Sequence, residues 1–103
     1  MTDQSEHTAD PGLLPYVRIA RADLVARLGI DDSMIITLSA SVKIWPDGAL
    51  GCPRPGMRYV QRPIDGSLIE LAVGAVTYRY HSGGSRPPFL CEPDPASSQH
   101  RRR

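Results

Sequence analysis

Residues 67–81 read SLIELAVGAVTYRYH, two alternating runs on either side of Gly74-Ala75. Glycine at the first of two central positions suits a type II′ turn, so the stretch predicts a tight β-hairpin. The register checks itself. It sets Val73 opposite Val76, Leu71 opposite Tyr78 and Ile69 opposite Tyr80, which makes one apolar face. The other face pairs Ala72 with Thr77 and Glu70 with Arg79, a pair of opposite charge. A slip of one residue destroys both matches.

The hairpin needs a neighbour and a cover. Met34, Ile36, Leu38, Ala40, Val42 and Ile44 alternate with Ile35, Thr37, Ser39, Ser41 and Lys43. That period of two predicts a long strand with one buried and one largely wet face. The cover comes from Val17, Ala20, Leu24 and Leu28, whose steps of three and four place them on one side of a helix. Asp23 and Arg27 form an i,i+4 pair on the far side. Gly29 suits a left-handed stop, with Ile30 packing back on the last turn. Pro15 suits a first helical turn.

The predicted class is therefore α+β, one helix packed on an antiparallel sheet of four or five strands. A chain of 103 residues holds one domain, here 15–92. Residues 1–14 and 93–103 read as disordered polar tails, because neither carries apolar periodicity.

Between the long strand and the hairpin lies Trp45–Gln61, WPDGALGCPRPGMRYVQ. Three prolines and three glycines forbid a regular helix and predict a shaped, rigid loop. Trp45-Pro46-Asp47-Gly48 has type I turn chemistry. Met57–Arg62 can form a second strand, closed by Pro63. After the hairpin, Ser82–Pro88 reads as a loop of breaker residues, and Phe89-Leu90-Cys91 as a short final strand.

Charge excludes some classes. The net charge is +1, so no global field argues for nucleic acid or membrane. Eleven of the twelve cations are Arg and Lys43 is the single Lys. Arg54, Arg58, Arg62, Arg79 and Arg86 interleave with Tyr59, Tyr78 and Tyr80. A base-stacking platform would use that pattern, but the hairpin register turns Tyr78 and Tyr80 toward the core. No apolar h-region opens the chain and no run reaches a membrane span. The expected setting is the cytoplasm, with no membrane partner and a monomeric state.

Chemistry-bearing residues are few. Cys52 and Cys91 as a disulfide would close a loop of 39 residues (91 − 52), worth roughly 4 kcal/mol by chain entropy. In the cytoplasm they would instead be reduced, buried thiols. With His81 they make a third possibility, a thiol or metal site, although the C-x28-H-x9-C spacing matches no common zinc pattern. His7 and His100 fall in the tails. No Ser/His/Asp arrangement and no phosphate-binding glycine pattern is present. The expectation is a non-enzyme without cofactor or metal. Trp45 is either the lid of a small core or a partner-binding anchor.

The string W-P-D-G-x-L-G-C-P-x-P-G-M-x-Y-x-Q, then G-x-x-I-x-L, Y-x-Y-H and F-L-C-E, resembles a family of small uncharacterised bacterial proteins. Ala20–Ile30 extends the likeness. Some members look secreted or lipid-anchored, which implies a Cys52–Cys91 disulfide for the fold; this chain departs from them in lacking an export signal. The resemblance brings no activity. The order of elements is also similar to PepSY-type domains, which implies a peptidase-inhibiting module.

The functional expectation is a protein-interaction or regulatory module. Its contacts would come from Trp45, Leu50, Arg54, Arg58 and Tyr59, with Met57 adding apolar surface. The alternative is a small thiol- or metal-dependent protein using Cys52, His81 and Cys91.

Overall fold

The computed structural model describes residues 8–91. One 15-residue helix, α1 (Leu14–Leu28), lies on a sheet of β1 (Thr8–Ala9), β2 (Ile36–Trp45), β3 (Ile64–Val73), β4 (Val76–Gly83) and β5 (Arg86–Leu90), in that spatial order. β2 to β5 form an antiparallel meander, and β1 joins its outer edge in parallel. The α+β class is as the sequence indicates.

The β3–β4 hairpin has the expected register at every pair from Ile69↔Tyr80 to Val73↔Val76, and Gly74 carries the positive φ, 61°, that the turn requires. Arg79 Nε donates to Glu70 Oε2 at 2.8 Å across the strands. Ser39 Oγ of β2 extends this ladder to Glu70 Oε1 at 3.0 Å.

Val17, Ala20 and Leu24 of α1 bury against Ile35, Ala40, Ile69, Leu71 and Tyr80. Leu28 stays exposed at the end of the helix. Gly29 adopts φ 65° and its N–H donates to Val25 O at 2.8 Å, closing the helix as expected. Ile30 packs at the margin of the core. Arg21 locks the helix to the start of β2. Its guanidinium donates to the Asp32 carboxylate, Thr37 Oγ1 and the carbonyls of Asp32 and Ile35, all within 3.0 Å.

Four expectations need correction. First, the long strand does not bury a continuous apolar face: Met34, Ile36, Leu38, Val42 and Ile44 are exposed, and only Ala40 of that set is buried. A β-bulge between Thr37 and Ser39 shifts the register. It puts Ile35 on the helix side and turns Ile36 away. Beyond the bulge, Val42 and Ile44 keep the helix side but stay exposed, because α1 makes most of its sheet contacts with β3 and β5. Second, Met57–Arg62 forms no strand. Its end is instead fastened through Val60 O, which accepts from Gly48 N at 2.8 Å.

Third, Ser82–Pro88 is a second tight hairpin around Gly84-Ser85, so β5 begins at Arg86. Pro87 and Pro88 fit there because β5 is an edge strand. Fourth, the N-terminal tail is shorter than 1–14. Thr8–Ala9 pairs with Ser39–Ala40, and a 3-10 turn at Pro11–Leu13, capped by Asp10, leads into the helix. The tail assignments for 1–7 and 92–103 lie outside the described residues.

Candidate functional site

Trp45 ends β2 on the face opposite the helix, and two glycines there give its indole room. Extending the hairpin register by three places sets Gly66 opposite Gly83. A Cβ on Gly66 would come within 2.6 Å of Trp45 Nε1, and one on Gly51 within 2.3 Å of its ring. The indole N–H donates to Ser82 O at 2.8 Å. His81 stacks on the ring at 5.0 Å between centroids and 12° between planes.

The loop folds over this platform. Asp47 Oδ1 accepts from Ala49 N at 2.9 Å, and Asp47 O accepts from Leu50 N at 3.2 Å. The turn expected at Trp45–Gly48 is thus carried by Asp47–Leu50. Leu50 holds a φ of 55°, a left-handed conformation that costs a non-glycine residue about 1 kcal/mol or more. Two contacts hold it there. Its side chain is buried, and its carbonyl accepts from His81 Nδ1 at 2.7 Å. A carbonyl only accepts, so Nδ1 carries the hydrogen.

Cys52 and Cys91 form a disulfide with Cα atoms 5.9 Å apart, which ties the loop to the end of β5. Next to it opens a cleft of about 210 Å³, lined by Cys52, Arg54, Met57, Tyr59, Arg86 and Phe89. The Arg86 guanidinium lies 3.6 Å from the centre of the Phe89 ring, a cation–π arrangement. Tyr59 Oη accepts from Arg54 N at 3.1 Å, which closes the tip of the loop. Neither Arg54 nor Arg86 has a carboxylate partner among the described residues.

The residues singled out by sequence divide accordingly. Arg54, Arg58 and Met57 are exposed, and Tyr59 is half-buried at the cleft. Leu50 is buried and Trp45 spends its N–H and one ring face on the domain, so both serve as scaffold. Arg86 and Phe89 stand outside the contact residues expected from sequence: Phe89 falls in the expected final strand, but Ser82–Pro88 reads as a loop and hides that Arg86 opens the same strand. Tyr80 is buried under the helix and Arg79 is paired, which takes both out of any stacking platform.

The family described as a domain of unknown function (DUF8738) matches residues 17–91. The chain belongs to this family. No curated protein and no solved structure matches it. The matched span runs from the first buried residue of α1 to the second cysteine of the disulfide, so both covers of the sheet belong to the family domain.

The thiol or metal alternative loses its ligands in this arrangement. Both sulfurs are bonded to one another, and His81 Nδ1 is held by Leu50 O. Among the described residues no three His, Cys, Asp or Glu converge as a metal-binding group. A second cleft, of about 280 Å³, lies on the helix side near Leu13, Tyr16 and Asp65. Its floor holds Ser67 and Ser82, whose hydroxyls bond each other at 2.5 Å.

Proposed function

We propose that the chain is a non-catalytic protein-interaction module that meets its partner with the loop face beside the Cys52–Cys91 disulfide. A peptidase-inhibiting role, as the PepSY-type likeness implies, is one form of this reading. The observation that carries it is a pair of guanidiniums, Arg54 and Arg86, that line one cleft with Phe89 and Tyr59 and have no carboxylate partner among the described residues. Arg and aromatic side chains around a preformed cleft are typical of interaction hot spots. The disulfide and the Trp45 platform hold the loop before any partner arrives, which lowers the ordering cost of binding. The fitting partner surface carries a carboxylate next to an apolar side chain.

No helix among the described residues is long and apolar enough to cross a membrane. The disulfide favours an oxidising compartment over the cytoplasm suggested by the sequence, since cytosolic thiol systems keep cysteines reduced.

The test uses the oxidised full-length chain, immobilised, to capture protein from host extract. The Arg54→Ala/Arg86→Ala double variant is expected to weaken capture of the same protein by roughly ten-fold or more. Equal retention by both would overturn the assignment of this face.

A further inference from the structure

The outer edge of β2 is a second interaction surface, separate from the loop face. We infer that Ser41–Trp45 receives an extended protein segment with an apolar–acidic–apolar pattern as an added strand. β1 occupies this edge only at Ser39 and Ala40, and from Ser41 onward no strand lies beside it among the described residues.

The direction of the free backbone groups follows from one hydrogen bond. Ala40 O accepts from Asp10 N at 2.8 Å, so the backbone of Ala40 faces the outer edge. Backbone direction alternates along an antiparallel strand, which sends the N–H and C=O of Val42 and Ile44 to the same edge. Their side chains are 59% and 69% exposed on the helix side. Lys43 projects to the other side and has no carboxylate partner among the described residues. The opposite edge of the sheet is closed to pairing by Pro87 and Pro88.

Directly opposed residues on paired strands share a face. A segment bonded to Val42 and Ile44 therefore presents apolar side chains to both and its intervening residue to Lys43. An acidic residue there forms an opposite-charge cross-strand pair. A second copy of the chain fits poorly. Aligning Val42 with the other copy's Ile44 sets Lys43 against itself at the closest type of pair. Centring on Val42 needs the Ala40 edge that β1 fills, and centring on Ile44 runs into Pro46, which has no N–H.

The probes are acetyl-Thr-Val-Glu-Val-Thr-amide and the same peptide with Lys in place of Glu. Binding is read by NMR titration and by amide hydrogen exchange of the full-length oxidised chain. The Glu peptide is expected to slow exchange at Val42 and Ile44 and to bind about two- to five-fold tighter than the Lys peptide. Lys43→Glu is expected to reverse that preference. The inference fails if the Val42 and Ile44 amides are already protected in the free monomer, or become protected with protein concentration alone, since the chain or its copy then fills the edge. It also fails if the peptides leave these amides unchanged, or if Lys43→Glu keeps the original preference.

Discussion

The two faces of the sheet are covered by different physics. On one, α1 sets a periodic apolar stripe, Val17, Ala20 and Leu24, on Ile69, Leu71 and Tyr80, and burial of apolar surface does the work. On the other, an irregular loop lies over a single tryptophan, a histidine and two facing glycines, and a disulfide ties it down. A helix satisfies its own backbone groups and needs only an apolar stripe to dock. A loop has no such internal ladder. Here Asp47, Tyr59, His81 and Val60 supply individual partners in its place. In a domain this small the helix covers only part of the sheet, and the second cover depends on the covalent link.

The sharpest way to separate the faces is to remove that link. The Cys52→Ser/Cys91→Ser variant is expected to lose about 4 kcal/mol by chain-entropy arithmetic, a large share of the 5–15 kcal/mol typical of a domain. Urea unfolding followed by Trp45 fluorescence and by far-UV circular dichroism measures it. Trp45 is the only tryptophan and reports the loop face alone. The fluorescence transition is expected to come at lower urea than the dichroism transition. Coincident transitions with a loss under about 1 kcal/mol would mean that Trp45, His81 and the glycines hold the loop unaided.

A smaller effect probes the helix face. Tyr80 Oη donates to Asp23 Oδ2 at 2.7 Å, a partly buried contact that draws the Asp23 carboxylate from the far side expected by sequence to the flank of the helix. Burial pushes the Tyr80 hydroxyl well above its ordinary value, reinforced by the Asp23 carboxylate. Burial by itself raises Asp23, but hydrogen bonds from Arg27 and Tyr80 outweigh it and hold the carboxyl below its usual range. The signs are opposite. The Asp23 contribution is present above about pH 4 and fades as pH falls through its lowered folded value. The Tyr80 contribution is present below about pH 10 and fades as pH rises beyond it. Tyr80→Phe is expected to cost about 1 kcal/mol at pH 7. It should also flatten both the acid and the alkaline decline, measured as urea midpoints between pH 3 and 11. Unchanged pH slopes would remove Asp23–Tyr80 as a stabilising contact.

What was legible in the sequence tracks this division. The hairpin and the helix face could be read because each repeats a period across several residues, and the Glu70–Arg79 pair fixed the register independently. The strand β2 was legible but its burial was not: the bulge that turns Ile36 away is a one-residue event with no periodic trace, and Val42 and Ile44 keep their expected side without being covered. β1, at two residues, carries no pattern at all. The loop was recognisable as shaped, yet the inward direction of Trp45 and Leu50 was not. A signal did exist. The hairpin register, carried three places further, puts Gly66 opposite Gly83, a bare patch that an aromatic ring can cover. Arg86 stayed hidden because Pro87 and Pro88 look like a loop unless the strand is known to be an edge.

The smallest expected effect is the one that decides how far the helix reaches. Under the period-two reading Ile44 belongs to the core, and replacing it with Thr would leave a polar hydroxyl buried at a cost above 1 kcal/mol. In the structure Ile44 is 69% exposed on the outermost long strand, whereas α1 makes most of its sheet contacts with β3 and β5. Little apolar burial is lost there, and Thr is itself well suited to strands. Ile44→Thr is therefore expected to change stability by no more than about 0.5 kcal/mol, the range of ordinary surface substitutions. Chemical denaturation at pH 7 measures it directly. A loss above about 1 kcal/mol would mean that part of the chain covers Ile44 in solution. The outer edge of β2 would then belong to the core, and the contrast between one helix-covered face and one loop-covered face would be incomplete.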